Sequence, residues 1–342
     1  MGSGSLGPGG EFPVVITVSY HDTVTKLQEV GHEPRGPFDR CDWYRLLEQH
    51  GWQPLIAFGQ SRARRVALPL MQGSKGLESL TNWFAFSWEP LGRHDEWADE
   101  VLTAIAADLR ERTHRVDLAP LPGENATADR LEKAFAQSGW LVLREACDEN
   151  HLLHVEGRSF AEYWAYRPGR MRTTHRRKAD KVQIEILTSY QDDAWNTYQS
   201  IYERSWKPHE EHAALLQDLA KCESARGNFR LGIARAEGRP VAAQFWTVEN
   251  GTAYIHKLAH TDEAVPLSAG TTLTAAMFEY VIDTEGVQTI DFGTGSDGYK
   301  QDWMENVRMR YRLTCLDWRS PSTWPAIGKR LLGRLARRGA RG

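Results

Sequence analysis

The stretch that decides the fold is residues 252–303, TAYIHKLAHTDEAVPLSAGTTLTAAMFEYVIDTEGVQTIDFGTGSDGYKQDW. It begins with a strand pattern at 253–259, passes through the small-residue turn Ser268-Ala269-Gly270, and continues as an amphipathic helix. A second apolar strand follows at 287–292. Strand, helix and strand joined by short links form a parallel crossover in a sheet that helices cover. The stretch therefore predicts an α/β fold.

The helix after the turn has the clearest pattern in the sequence. Ser268 is a residue type that caps helices, and Gly286 is one that ends them. The apolar residues that recur at the spacing of one buried face are Leu273, Ala276, Met277, Tyr280 and Val281. The unpaired N–H groups and the dipole at a helix N-terminus favour an anion such as a pyrophosphate. The residues predicted to hold it are Leu267, Ser268, Ala269, Gly270, Thr271 and Thr272.

These residues resemble the acetyl-CoA-binding core of the GNAT N-acyltransferase superfamily. The strings YIHKLA (254–259), LSAG (267–270) and DFGTG (291–295), with Tyr299-Lys300, look like the branch associated with bacterial cellulose and exopolysaccharide clusters, which includes bacterial ceramide synthases. The superfamily signature begins with Gln or Arg and ends Gly-x-Gly/Ala. Here Leu267 and Thr272 occupy those ends and only Gly270 matches, so Thr272 leaves less room for the pyrophosphate.

The resemblance implies tandem GNAT-like domains, each a mixed, mostly antiparallel sheet flanked by helices. The divisions we expect are an expression remnant at 1–12, a first, non-catalytic domain at 13–155, a catalytic domain at 156–320 and a basic amphipathic tail at 321–342. The resemblance also implies an acyl-CoA or acyl carrier protein thioester as co-substrate. The acceptor it implies is a small-molecule or lipid amine, such as an amino sugar or a sphingoid-type base.

The composition is typical of a globular protein of two ordinary domains. The 342 residues are 41% hydrophobic and 25% charged, with a net charge of -3. Cys41, Cys147, Cys222 and Cys315 are far apart and lack His at ligand spacing, so we expect reduced thiols and no metal. No apolar run approaches the roughly 18 residues of a spanning helix. A cytoplasmic location is expected.

The remaining patterns predict further helices and strands. Helices are predicted at 38–51, 96–112, 127–138, 159–181, 193–206 and 212–222. Strands are predicted at 54–58, 66–71, 80–86, 116–119, 140–143, 229–236 and 241–248. Glu237-Gly238 and Asn250-Gly251 are predicted to be tight hairpin turns.

Amide formation from a thioester needs a neutral amine, a polarised carbonyl and a proton for the departing thiolate. Tyr299 can supply the proton, and Asp291 can accept one from the amine. His256 titrates near neutral pH and is a further base candidate. The structural alternatives are a half-buried aromatic ring for Tyr299, a cap on the glycine turn for Asp291 and a core histidine for His256. Lys300 is predicted to pair with phosphate or with Asp291.

Other polar residues are candidates for the acceptor pocket. They are Glu203, Trp206, Gln244 and Lys257. His256 and Lys257 alternate along a strand, so we expect them on opposite faces of the sheet, with at most one facing the reactants.

Two regions are strongly basic. The first comprises Arg167, Arg170, Arg172, Arg176, Arg177, Lys178 and Lys181, with Asp180 as the only acid. Such a block could bind CoA phosphates, an acidic carrier protein or RNA, although few aromatic residues are interleaved and nucleic acid is not favoured. The tail after Trp324 combines Leu331, Leu332 and Leu335 with Arg and Lys, which suits either peripheral contact with an anionic inner-membrane surface or a disordered segment.

Three rival readings remain. The segment 293–298 matches the dinucleotide fingerprint, with Asp317 near the place of a ribose-binding acid, but the residues before the next strand are too few for a crossover helix. An aminoacyl-tRNA-dependent transferase of the FemAB type would also use tandem domains, and the basic block at 167–181 would bind its RNA. A non-catalytic acyl-CoA or membrane-surface binding protein is the rival outside the enzymes.

Overall fold

The computed structural model describes residues 15–62, 64–92 and 96–329. The strands in the first half are β1 (Ile16–His21), β2 (Pro54–Ser61), β3 (Arg64–Gln72), β4 (Leu77–Ser79), β5 (Leu91–Gly92), β6 (Arg115–Pro122) and β7 (Leu141–His154). Those in the second half are β8 (Gln183–Leu187), β9 (Phe229–Ala236), β10 (Arg239–Glu249), β11 (Thr252–His260), β12 (Thr289–Thr294) and β13 (Asn306–Leu316).

Helices flank these strands. They are α1 (Cys41–Gln49), α2 (Glu96–Leu109), α3 (Thr127–Gln137), α4 (Phe160–Ala165), α5 (Gly169–Lys178), α6 (Asp192–Glu203), α7 (Ala213–Ala225), α8 (Ala269–Glu279) and α9 (Lys300–Trp303). The helix α8 continues as a π-helical turn, Tyr280–Thr284, before Gly286 adopts a left-handed conformation. The expression remnant predicted at 1–12 and most of the predicted basic tail, 330–342, lie outside the described residues.

The strands form one mixed sheet in the order β1-β2-β3-β4-β6-β13-β7-β12-β11-β10-β9-β8, with β5 paired to β3. The last strand of the chain, β13, lies between β6 and β7 and pairs with both in the antiparallel sense. A large mixed sheet flanked by helices confirms the predicted α/β fold class. The boundary that we expect at residue 155 directly follows β7.

Parallel pairing occurs at one place in each half of the described sheet. Leu77 and Glu78 of β4 face Val116 and Asp117 of β6, and the chain between these strands contains α2. In the second half β11 pairs with β12 in parallel, and α8 lies between them in sequence. The crossover predicted from the stretch 252–303 is therefore confirmed.

Close packing fixes α8 on the sheet. Leu273, Met277 and Phe278 are fully buried on its inner face. An added Cβ at Gly232 of β9 would lie 2.7 Å from the sulfur of Met277, so any larger residue there would force the side chains of α8 to shift. Burying each large apolar side chain contributes about 1.5–3 kcal/mol. The position of the helix N-terminus is thus set by the core beneath the helix.

Three local predictions are wrong. The segment 80–86 is a loop, because the Asn82 side chain accepts the Phe84 N–H in a tight turn at 3.0 Å and the strand β4 ends at Ser79. The helix expected over 159–181 is split in two, since Pro168 excludes the helical conformation for the residue before it. Ser268 makes no side-chain capping bond, because its backbone is left-handed (φ 53°).

Both predicted hairpins are confirmed, with positive φ at each of their turn residues.

Candidate active site

The two strands at the centre of the second half separate partway along their length. They are paired at only three positions, the last being Tyr254 with Asp291. Beyond this point β11 continues to His260, whereas β12 turns at Gly293 (φ 70°). A parallel pair that separates in this way opens a gap in the sheet. Two cavities adjoin the gap.

The first, which we call the α8 cavity, has a volume of about 500 Å³ and lies at the helix N-terminus. Ser268, Gly270 and Thr271 line it, together with Arg170 and Thr174 of α5. The first backbone hydrogen bond of the helix runs from Thr272 N–H to Ser268 O, at 3.1 Å, so the N–H groups of Gly270 and Thr271 precede the hydrogen bonds within the helix. The helix end can therefore receive an anion.

The other predicted anion-binding residues have supporting positions. Ala269 is fully buried, and Leu267 packs against the core. Thr272 is buried and does not line the α8 cavity, and its hydroxyl has no partner among the described residues. The Ser268 hydroxyl accepts a hydrogen bond from Lys178 Nζ at 3.2 Å. One basic side chain of α5 thus contacts the first turn of α8.

A buried chain of hydrogen bonds supports this first turn. The Thr274 hydroxyl donates to the Gly270 carbonyl at 2.8 Å and accepts from the Gln244 amide at 2.6 Å. The Gln244 carbonyl in turn accepts the Trp246 indole N–H at 3.0 Å. Gln244, which we expected in the acceptor pocket, therefore lies beside the α8 cavity and fixes the helix end.

Two aromatic side chains form the edge of the α8 cavity. Trp206 is 53% exposed, and its ring lies 4.2 Å from that of His260. The His260 ring also lies 3.3 Å from the place of an added Cβ at Gly270. Trp206 was expected in the acceptor pocket but lines the α8 cavity. His260 lines this cavity as well, although no motif in the sequence predicted it as a site residue.

The second cavity, which we call the Lys257 cavity, has a volume of about 240 Å³. The first half of the chain supplies one wall through Trp83, Phe84 and Phe86. Lys257 Nζ lies 2.6 Å from Glu210 Oε2 and 4.3 Å from the centre of the Trp83 ring. Burial lowers the pKa of Lys257, and the Glu210 carboxylate opposes that shift.

His256 and Lys257 both line this cavity, so the prediction that they face opposite sides is wrong. The reason is a β-bulge. Lys257 pairs with Phe245 of β10 and Ile255 pairs with Trp246, which leaves His256 as an extra residue. A bulge places two successive side chains on one side of the strand and interrupts the strict alternation.

The surroundings of His256 are apolar. Its ring lies 5.0 Å from Phe245 and 5.6 Å from Phe86, and its Nε2 is 2.8 Å from the Thr247 hydroxyl. Burial, with the charges of Lys257 and Arg40, lowers the pKa of His256 to about 3. The imidazole is therefore neutral at physiological pH and accepts a proton only weakly.

Three residues line both cavities: Leu258, Phe292 and Tyr299. Tyr299 directly precedes α9 and is 39% exposed, with its ring 5.6 Å from Phe292 in an edge-on arrangement. Desolvation raises the pKa of Tyr299, and the Asp297 charge adds to the shift. The phenol remains protonated at the place where the two cavities meet, as a proton donor must.

Asp291 is fully buried at the base of the gap. Its Oδ1 accepts the Asn150 amide at 2.9 Å and the Gly293 N–H at 2.8 Å, while Oδ2 pairs with Arg308. Burial raises the pKa of Asp291, and the Arg308 guanidinium opposes that shift. Both oxygens are engaged, and Asp291 does not line either cavity. This geometry suits the capping alternative for Asp291.

Lys300 and Glu203 also have different surroundings from those we expected. Lys300 is buried in the wall of the Lys257 cavity, and its Nζ donates to the carbonyls of Thr294 and Gly295. The prediction that it pairs with Asp291 is wrong, because those carbonyls hold it within its own loop. Glu203 is exposed and lines a further cavity of about 200 Å³ between α6 and α7.

Residues 162–301 match the acetyltransferase (GNAT) domain family. This match covers less than half of the chain and indicates a GNAT-like domain within it. The matched segment includes α8, the gap between β11 and β12, and Tyr299. A comparison with curated protein sequences finds no match.

Several solved structures have the same fold. FemX is 10% identical with a TM-score of 0.58, over 86% of this chain and 96% of FemX. The C-terminal domain (DUF2156) of a protein described as a lysylphosphatidylglycerol synthetase from Agrobacterium fabrum is 12% identical with a TM-score of 0.57, over 90% and 96%. A tandem GNAT protein from the clavulanic acid biosynthesis pathway is 11% identical with a TM-score of 0.50, over 87% and 98%.

Neither a membrane-spanning helix nor a metal cluster is found in the described residues. None of their helices is both long and apolar enough to cross a bilayer. Among the same residues, no group of three or more His, Cys, Asp or Glu side chains is placed to hold a metal ion.

Proposed function

We propose that this protein transfers an acyl group from a thioester to an amine, with the donor in the α8 cavity and the acceptor amine in the Lys257 cavity. One observation carries the proposal: the two cavities share Leu258, Phe292 and Tyr299. A donor and an acceptor that occupy separate cavities can react only where those cavities meet. The catalytic unit that we propose is 156–320, with 13–155 as a non-catalytic partner.

The donor is proposed to be acyl-CoA or an acyl carrier protein thioester. Its phosphates would lie against the N–H groups of Gly270 and Thr271, where the helix dipole favours negative charge. Lys178, which already contacts Ser268, adds a positive charge beside this position. The resemblance to the cellulose- and ceramide-associated branch favours an amino sugar or a sphingoid-type base as acceptor.

The chemical step uses the protonated phenol of Tyr299, which lies at the junction where the two cavities meet. The amine nitrogen attacks the carbonyl carbon of the thioester, the carbon–sulfur bond breaks, and Tyr299 gives its proton to the departing sulfur. The new amide nitrogen returns a proton to the tyrosinate. The products are an amide and a free thiol, and the enzyme is unchanged. His256, neutral and buried, is proposed to position Phe86 beside the acceptor.

Thiol release tests the proposal. Acetyl-CoA, palmitoyl-CoA and other acyl-CoAs are incubated with amino sugars and long-chain bases, and the amide is identified by mass spectrometry. We expect release that depends on the amine and is greatly reduced in Tyr299→Phe. The exposed Tyr166 offers the control Tyr166→Phe. CoA binding with no release for any amine would instead indicate a non-catalytic acyl-CoA-binding protein.

A second candidate donor is aminoacyl-tRNA, whose ester would react with the amine in the same way. The observation that favours it is the helix α5, which packs against α8 and carries Arg172, Arg176 and Arg177 on exposed positions. RNA phosphates bind such clusters in a strongly salt-dependent way. Transfer of a labelled amino acid from tRNA, lost in a combined Arg176→Gln, Arg177→Gln and Lys181→Gln variant, would support this donor over CoA.

The predicted membrane contact and location remain proposals. The tail that would bind an anionic inner-membrane surface lies almost entirely at 330–342. We propose a cytoplasmic protein that contacts such a surface peripherally. Sedimentation with anionic lipid vesicles, compared between the full chain and a chain ending at Lys329, tests this contact.

A further inference from the structure

Three lysines converge on the Lys257 cavity, a feature that acyl transfer to a simple amine does not require. Lys207, Lys257 and Lys300 all line this cavity, and among the described residues of its wall Asp297 is the only acid. Like charges gathered around one cavity repel one another unless an anion lies between them.

Two of the three ammonium groups have partners within the protein. Lys257 pairs with Glu210 at 2.6 Å, and Lys300 donates to the carbonyls of Thr294 and Gly295 and lies 4.0 Å from Asp297. The remaining group, Lys207, is half-buried and forms no ion pair with any described residue. Its Nζ lies 5.4 Å from the centre of the Trp206 ring, which does not neutralise the charge.

The charge of Lys207 acts on both of the other lysines. Burial is the main cause that lowers the pKa of Lys257 and of Lys300, and repulsion from Lys207 adds to the shift in each. Burial also lowers the pKa of Lys207 itself, against the attraction of Asp297. Lys207 lines the same cavity as both of the other lysines, in a partly desolvated place where a positive charge is costly without a counter-charge.

The chain holds Lys207 in place through its backbone. The Lys207 N–H donates to the Ser205 hydroxyl at 3.2 Å, and that hydroxyl donates to the Tyr202 carbonyl at 2.7 Å. Ser205 also forms a bridge with Thr261, directly after β11. A lysine whose backbone is fixed at the wall of a cavity is preorganised for a ligand.

We infer that Lys207 forms an anion subsite in the Lys257 cavity, and that the acceptor amine carries a carboxylate or phosphate group that binds there. This inference rests on the proposed function, because it takes the Lys257 cavity as the acceptor side. It narrows the acceptor from any amine to an amine with a negatively charged group. Phosphate and carboxylate share this chemistry, and matched probes distinguish them.

The test measures, by calorimetry, how tightly small amines bind to the protein when no acyl donor is present. Two pairs of probes differ only in the anionic group: glucosamine 6-phosphate against glucosamine, and 4-aminobutyrate against 4-aminobutyramide. The wild-type protein is expected to bind the anionic probe of at least one pair about 10-fold or more tightly than the neutral probe. A difference of this size corresponds to one hydrogen bond to a charged group. The pair that shows the preference identifies phosphate or carboxylate.

Three variants locate the subsite. Lys207→Gln should abolish the preference, whereas Lys221→Gln, on the exposed face of α7, should retain it. Lys178→Gln, which removes the contact with Ser268 beside α8, should also retain it. The inference is overturned if the wild type shows no preference, if Lys207→Gln keeps it, or if Lys178→Gln removes it instead. If the protein prefers anionic probes in calorimetry but releases no thiol in the transfer assay, the anion subsite is supported and the proposed transferase activity is contradicted.

Discussion

Tyr254 and Asp291 are the last residues that face each other across the parallel ladder of β11 and β12. Past this pair, the strands separate and the two cavities meet. The parallel crossover through α8 therefore produces both parts of the candidate site: a helix N-terminus on the proposed donor side and a gap through which the proposed donor would reach the acceptor.

The junction itself can be blocked without loss of the donor site. Leu258 lines both cavities, so Leu258→Trp should fill the gap and lower kcat by about 100-fold, the cost of a small displacement of reacting groups. The Kd for acyl-CoA, measured separately by calorimetry, should change little. Leu258→Met, which keeps the volume, is the control. Full turnover in Leu258→Trp would show that the acyl group does not pass this point.

Tyr299→Phe should lower kcat by about 100- to 10,000-fold, because it removes a proton donor and leaves the ring. The KM for the thioester should remain within a few-fold, and Tm should not change, since the packing of the ring on Phe292 is kept. Steady-state thiol release and a thermal melt check both parts. Equal turnover in the variant and the wild type would remove Tyr299 from the mechanism.

Gly270→Leu should raise the KM for the thioester by roughly 10-fold, because the side chain would fill the first turn of α8 and press on His260, only 3.3 Å from an added Cβ. Gly169→Leu is a matched control, since Gly169 also begins a helix but has nothing within 4 Å of an added Cβ. An unchanged KM in Gly270→Leu would indicate that donor phosphate binds elsewhere.

Asp291→Asn should lower the free energy of unfolding by about 1–3 kcal/mol, because it removes the buried charge that pairs with Arg308, although Arg308 keeps its ion pair with Glu124 at 3.0 Å. Urea denaturation measures this loss. The exposed Asp262 provides the control Asp262→Asn, for which a change below about 0.5 kcal/mol is expected. A fully stable Asp291→Asn protein that has lost all turnover would restore Asp291 as the proton acceptor.

His256 should make stability depend on pH. Its pKa of about 3 in the folded protein lies below the ordinary value of 6.5, so between these values the unfolded chain binds a proton that the folded chain does not. The free energy of unfolding should therefore fall as pH drops below about 6.5, and His256 should contribute about 1.4 kcal/mol per pH unit to that slope.

Denaturant titrations of wild type and His256→Gln between pH 7 and pH 4 measure this contribution as a difference of slopes. Gln can keep a hydrogen bond to Thr247 and does not titrate. The exposed His209 provides the control His209→Gln. Identical slopes in wild type and His256→Gln would contradict the buried, neutral imidazole.

Local patterns predicted those features whose causes are local. The apolar spacing of α8, the hairpin turns at Glu237-Gly238 and Asn250-Gly251, and the parallel crossover each depend on residues close together in sequence. The helix N-terminus that we propose as the donor side, at Ser268 to Thr271, could be located in the sequence for the same reason.

The Lys257 cavity, which we propose as the acceptor side, could not be predicted, because distant parts of the chain build it. Trp83 and Phe86 come from a loop of the first half, and Arg310 of β13 holds that loop through a 2.7 Å bond to the Phe86 carbonyl. The bulge at His256 depends on its register with β10, which the sequence of β11 alone does not contain. For this reason Lys207 and Leu258 were not among the predicted site residues.

The most direct measurement of the central claim is a crystal structure with a non-hydrolysable acyl-CoA thioester analogue bound. We predict phosphate density within hydrogen-bonding distance of the N–H groups of Gly270 and Thr271, and the acyl carbonyl between Leu258, Phe292 and Tyr299. A bound analogue whose phosphates contact another surface, or whose acyl group lies away from Tyr299, would contradict the proposed meeting of donor and acceptor at this junction.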